Sequence, residues 1–171
     1  RDLVLVLGCM AACLPAAHAQ DAAAADFPAP VRGLEAYASR HHLSNGYGNW
    51  HESGVRGQYG MGSHLWAAEV ATMRRFGESG RFIGLSDTWT LNEDWFTAVS
   101  VGAGDGAAYL PRYRVDGFVN RKLLASRQWV ATLGAGYYRA PDGHIDRNIS
   151  LGSTYYFESP WVVQAEVRFN N

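Results

Sequence analysis

The sequence predicts an all-β fold, an antiparallel up-and-down transmembrane β-barrel, and three observations carry that prediction. Trp161 to Phe169 (WVVQAEVRF) alternates strictly, with Trp161, Val163, Ala165, Val167 and Phe169 on one face and Val162, Gln164, Glu166 and Arg168 on the other. Period-two alternation marks a strand whose two faces meet different surroundings. An apolar face with an aromatic at each end suits the lipid-facing band of a membrane barrel. Trp66, Trp95, Trp129 and Trp161 then open every second strand, 29, 34 and 32 residues apart, each just after a short turn. This is the expected aromatic girdle, because Trp and Tyr favour the headgroup zone. A soluble barrel with core tryptophans gives no reason for rings on the same edge every second strand. Finally, the first residues look like a secretory leader, and no later run is apolar and long enough for a membrane helix. A chain that crosses a membrane without helices must do so as a closed sheet.

The leader reading rests on Arg1, the apolar run Leu3 to Leu14, and the small-residue cleavage pattern Ala17-His18-Ala19 before Gln20. It divides the chain into a signal peptide (1–19), an Ala- and Pro-rich periplasmic linker (20–32) and an outer-membrane barrel domain (33–171). The chain begins with Arg, so an earlier start is expected. Both cysteines, Cys9 and Cys13, fall within the leader, which leaves the remainder without disulfides or a thiol nucleophile. A net charge of -1 gives no electrostatic case for nucleic acid. Aromatic residues make up 13% and charged residues only 18%, a balance that suits alternating polar and apolar faces better than a soluble core.

Taken in order, nine strands are expected. The first is Gly33 to Leu43. Ser44 to Asn49 (SNGYGN) carries Asn-Gly, a strong hairpin signal. The second is Trp50 to Tyr59, with Val55, Gly57 and Tyr59 opposite Arg56 and Gln58. The third, His64 to Phe76, sets Trp66, Ala68 and Val70 against Glu69. Gly77 to Gly80 is a short loop. The fourth, Arg81 to Thr90, has an ambiguous phase, because Asp87 shares a face with Ile83, Leu85 and Trp89. The fifth is Trp95 to Ala103, followed by the longest connection, Gly104 to Pro111. The sixth is Arg112 to Leu123 and the seventh Trp129 to Arg139. Pro141-Asp142-Gly143 turns the chain into the eighth, Ile145 to Phe157. The ninth is the WVVQAEVRF stretch, with Val163 near mid-membrane. Single-chain bacterial barrels close with an even number of strands. The ending Phe169-Asn170-Asn171 also lacks a final aromatic, so the barrel is expected to be incomplete at its C-terminus.

Leu43-Ser44-Asn45-Gly46-Tyr47-Gly48-Asn49-Trp50 resembles the LSNGYG-x-W motif of the YaiO family of outer-membrane β-barrel proteins. Arg74-Arg75-Phe76-Gly77 and Tyr109-Leu110-Pro111-Arg112-Tyr113 resemble two further segments of that family, and the likeness runs from about residue 33 to the end. The resemblance implies an outer-membrane barrel somewhat larger than this chain, with no catalytic residues to carry over. Some relatives are joined to helical repeats or linked to surface-polysaccharide systems; this chain has no repeat segment.

Four groups of residues are candidates for function. Arg56, Glu69, Arg75, Arg114, Asp116, Lys122, Gln164, Glu166 and Arg168 form a polar network on the lumen side. It reads either as ion pairs filling a narrow interior, where orphan charges are costly, or as a polar conduit. The girdle is Trp66, Trp95, Trp129 and Trp161. The loop motif comprises Ser44, Asn45, Gly46, Tyr47, Gly48, Trp50, Tyr109 and Arg112. Of these, Tyr47, Trp50, Tyr109 and Arg112 suit contact with sugar or protein. Ser44, His42 and Glu52 lie around one loop and can be drawn as the triad of a lipid-modifying enzyme. Adjacent His41 and His42 point to opposite faces of a strand and cannot share a metal. No metal and no cofactor is implied. Short connections argue against a folded constriction loop. Expected partners are outer-membrane lipid, the barrel-assembly machinery during insertion, and surface polysaccharide, with no nucleic acid. The leading reading is a non-enzymatic structural or surface-interaction barrel; a passive small-solute channel and a lipid-modifying enzyme are the alternatives.

Overall fold

The computed structural model describes residues 3–6, 32–44 and 48–171. The strands are β1 (Leu3–Val6), β2 (Arg32–Leu43), β3 (Gly48–Met61), β4 (His64–Arg75), β5 (Glu78–Thr90), β6 (Trp95–Asp105), β7 (Tyr113–Leu123), β8 (Trp129–Arg139), β9 (Ile145–Tyr156) and β10 (Val162–Asn170). From β2 to β10 each strand pairs antiparallel with the next in one uninterrupted meander, and β1 lies on the far edge of β10. The expected signal peptide and the loop residues 45–47 otherwise lie outside the described residues, as does the linker except for Arg32.

The nine expected strands are all present, and the Trp129–Arg139 strand has the expected bounds. The main difference is at β5, which begins at Glu78 rather than Arg81 because the β4–β5 connection is shorter than expected. Arg75 pairs directly with Glu78, leaving Phe76 and Gly77 as a two-residue turn. Both take positive φ, 54° and 84°. Two positive φ values give the turn a twist that matches the flanking strands. Glycine adopts such a φ freely, whereas for Phe76 it is uncommon and worth a structural reason.

Register sorts the side chains into two faces. One row runs Tyr59–Trp66–Asp87–Val99–Gly117–Ala135–Ile149–Phe169. Two residues further along lies Gly57–Ala68–Leu85–Val101–Val115. The opposite face carries Glu35–Arg56–Glu69–Gly84–Gly102–Arg114. The apolar face is the open one: Val70 is 57% exposed, Leu85 54% and Leu133 53%. The sheltered strand residues lie on the polar face and are mostly small or hydrogen-bonding: Ala71, Asn120, Ser150 and Val130. A water-soluble fold buries its large aliphatics, and a continuous exposed apolar face marks an interaction surface. This inside-out arrangement is that of a membrane barrel, whose outer face dissolves in lipid. It also resolves the phase of β5, which keeps Ile83, Leu85, Asp87 and Trp89 on the apolar face.

Glycines let the polar face pack tightly. A Cβ on Gly134 would lie 2.7 Å from the Phe118 ring, and one on Gly102 would lie 2.6 Å from the Phe82 ring. The Phe82 and Phe118 rings therefore approach the neighbouring backbone where a Cβ would stand. Among the described residues β2 and β10 form no ladder with each other. As first and last of nine alternating strands they run the same way, and antiparallel closure needs an even number.

Candidate functional site at the loop end

The two ends of the sheet differ. At one end the β3–β4, β5–β6, β7–β8 and β9–β10 turns lie beside Trp66, Trp95, Trp129 and Trp161. Trp66, Trp95 and Trp129 stand on the apolar face, and Trp161 lies just before β10. The Arg121 guanidinium sits 5.2 Å from the Trp95 ring, and Trp129 Nε1 donates to Ser153 Oγ at 2.7 Å. The His64 ring stacks between Trp66 at 5.3 Å and Trp89 at 5.5 Å. His64 Nδ1 lies 2.8 Å from Asp87 Oδ2, which explains how an acid is accommodated on the apolar face.

The other end holds the longest connection, residues 106–112, and here part of the polar face is covered. These residues fold over the polar face of the sheet. Leu110 and Ala107 are buried against Gly80 and Gly104, where added Cβ atoms would lie 2.5 and 2.8 Å from Leu110. The Glu78 carboxylate accepts from the Ala108 amide at 2.8 Å, and Tyr109 Oη donates to the Met73 carbonyl at 2.9 Å. Burial raises the Tyr109 hydroxyl above its ordinary pKa, against the opposing pull of Arg75.

Arg75 is the centre of this cap. Its guanidinium lies 5.1 Å from the Trp50 ring and 5.8 Å from the Tyr109 ring. It donates to Glu52 Oε2 at 2.9 Å. Phe76 meets Trp50 edge-on at 4.9 Å and Tyr109 at 6.3 Å, which supplies a reason for its left-handed backbone. Trp50 Nε1 is buried without a partner in this cluster. Tyr37 Oη donates its one proton to Glu69 at 2.5 Å and lies 3.3 Å from Glu52, which links the cap to the polar face below.

Of the expected loop-motif residues, Trp50 and Tyr109 come together. Arg112 does not join them; its amide donates to the Arg139 carbonyl instead. Ser44 and Gly48 flank the turn, and Asn45, Gly46 and Tyr47 lie outside the described residues. Phe76, Glu52, Tyr37 and Leu110 are cap residues that were not singled out for it. Phe76 and Leu110 do stand inside the family-like segments RRFG and YLPRY. The triad is not assembled: His42 Nδ1 pairs with Asn49 on the apolar face, 2.7 Å away, while Glu52 points to the polar face.

All nine expected network residues share the polar face, but as separate small clusters rather than one lattice. Arg56 pairs with Glu35 at 2.7 Å, not with its cross-strand neighbour Glu69. Arg114 pairs with Asp116 at 2.6 Å and Arg168 with Glu166 at 2.8 Å, each along one strand. The Lys122 and Gln164 side chains make no hydrogen bond or ion pair among the described residues. No metal-holding group of His, Cys, Asp and Glu occurs among the described residues either.

A family model described as YaiO membrane beta barrel domain matches residues 32–171. No curated protein matches the chain. Among solved structures, a KdgM porin in complex with disordered oligogalacturonate is similar to it. That match has a TM-score of 0.53 at 11% identity and covers 82% of this chain and 92% of the porin. At that identity the likeness is one of fold.

Proposed function

Because the chain belongs to the YaiO family of membrane β-barrels and resides in the outer membrane, we propose that it is a non-enzymatic surface-interaction barrel. Its ion-paired interior holds it rigid, and its loop-end cap meets envelope polysaccharide. The observation that supports this is Arg75, set between the Trp50 and Tyr109 rings and fixed by Glu52. A guanidinium held between two aromatic faces offers sugar rings both stacking surface and hydrogen-bond donors, and it is already ordered before the ligand arrives. On the lumen side each arginine is paired with a carboxylate, and the girdle tryptophans anchor the turn end at the periplasmic headgroups. Lipid surrounds the apolar face, and the assembly machinery inserts the barrel.

The second reading, a passive channel, is favoured by the porin fold, whose solved relative was complexed with an oligogalacturonate. The inward 106–112 connection and the paired interior arginines weigh against it. Conductance and binding separate the two. The full chain in a planar bilayer should pass no steady current. It should bind polysaccharide from its own envelope, with affinity reduced at least about tenfold by Arg75→Gln or Trp50→Ala, since truncated anchors cost roughly 2 kcal/mol or more. Stepwise current from the unmodified protein would replace this reading with the channel.

A further inference from the structure

The apolar face carries a second feature that the proposed role does not use. Above its aliphatic band, at the loop end, Arg40, His51 and Arg74 form one cross-strand row on β2, β3 and β4. Arg81 stands beside it on β5, opposite Thr72. All four are exposed and line a shallow depression of about 780 Å³. Its floor includes Ser53 and Thr72, whose hydroxyls are 3.0 Å apart. Two acids line the depression: Asp105, the cross-strand neighbour of Arg81, and Glu52, whose carboxylate is taken by Arg75 on the polar face.

The arginines' lack of partners is informative. On the polar face Arg56, Arg75, Arg114 and Arg168 each pair with a carboxylate. Arg40, Arg74 and Arg81 make no ion pair among the described residues. A guanidinium facing lipid is tolerated only where it reaches headgroups or an anion. Depth agrees. His51 lies eight residues from Tyr59, Arg74 eight from Trp66 and Arg81 eight from Trp89. At about 3.3 Å per residue and a tilt of about 40°, eight residues cover roughly 20 Å of membrane normal, close to the apolar band of a barrel. The cations therefore stand at the headgroups of the leaflet opposite the tryptophan belt. With the longest connection, 106–112, outward, that is the outer leaflet, whose lipid is a phosphorylated glycolipid.

We propose that Arg40, His51, Arg74 and Arg81 form a lateral binding site for the phosphate groups of an outer-leaflet glycolipid. The inference rests on the membrane placement but not on polysaccharide binding by the cap. From Arg40 on β2 to Arg81 on β5 the cluster spans three strand spacings, about 14 Å. That is wide enough to engage more than one phosphate, with the Ser53 and Thr72 hydroxyls between.

The test uses the purified full chain refolded in neutral detergent, with diphosphorylated lipid A, its dephosphorylated form, or phosphatidylglycerol added in mixed micelles. The expected result is saturable binding and a raised Tm with the diphosphorylated lipid alone. In the variant R40Q/R74Q/R81Q binding should weaken by between about tenfold and a hundredfold, because each basic residue at an anionic surface contributes roughly fivefold. Arg121→Gln, at the tryptophan end, should change nothing. Equal responses of the unmodified protein to the phosphorylated and dephosphorylated lipids would overturn the proposal without requiring any variant. So would an equal response to phosphatidylglycerol, or full binding by a folded triple variant. Polysaccharide binding by the cap should survive in the triple variant, so the two proposals can fail separately.

Discussion

Tyr109 ties the 106–112 connection to the sheet through one hydroxyl, 2.9 Å from the Met73 carbonyl. Tyr109→Phe keeps the ring beside Arg75 and removes that bond, which should loosen the connection by about 0.5–1.5 kcal/mol. Faster trypsin cleavage after Arg112 in the variant, with unchanged overall refolding, would show it. The sign of the pH dependence follows from the raised pKa. The neutral hydroxyl is the favoured form in the docked state, so the tether is complete below the ordinary tyrosine value. It is lost only as pH rises through the higher, docked value. Cleavage of the unmodified protein should therefore be flat between about pH 7 and 9 once trypsin's own pH profile is divided out.

At the scale of strands, register decides what a substitution does. Val163 was expected near mid-membrane, but it pairs with Tyr155, whose other neighbour is Trp129, and so stands in the belt row. Leu133 pairs with Val119 and Leu151, four residues further from the belt along β8, inside the aliphatic band. Leu133→Arg should cost about 2–4 kcal/mol of folding stability in a bilayer, and Val163→Arg only about 0–1. Equal losses in a denaturant refolding series would mean that the belt is misplaced. Alternation alone fixed which residues share a face, including the nine on the polar side. It left their depth undetermined, because depth depends on the stagger between neighbouring strands.

At the scale of the molecule, large aliphatics cover the outside, while glycines, ion-paired arginines and the Phe82 and Phe118 rings line the inside. Such a chain has no water-soluble ground state to fold into. It should acquire native near-ultraviolet circular dichroism and heat-modifiable gel mobility only when detergent micelles or lipid are supplied. A compact monomer in plain buffer would contradict the arrangement. The same scale explains why pairing differs between the faces. Inside, carboxylates from neighbouring strands or two residues along the same strand lie within reach of each arginine. At the outer rim the facing row offers mostly other cations.

Legible in the local pattern were the nine strands β2 to β10 (though not β1), the two faces, the tryptophan-bearing end and the family likeness. All of these are written in period-two patterning and turn residues, which act over a few positions. It took the folded sheet to pair Arg75 with Glu52 beside Trp50 and Tyr109, and to lay residues 106–112 over Gly80 and Gly104. It also set His42 and Glu52 on opposite faces and gathered Arg40, His51, Arg74 and Arg81 on one patch. These groupings join residues from several strands, and their proximity is set by cross-strand stagger and loop packing, which no local pattern encodes.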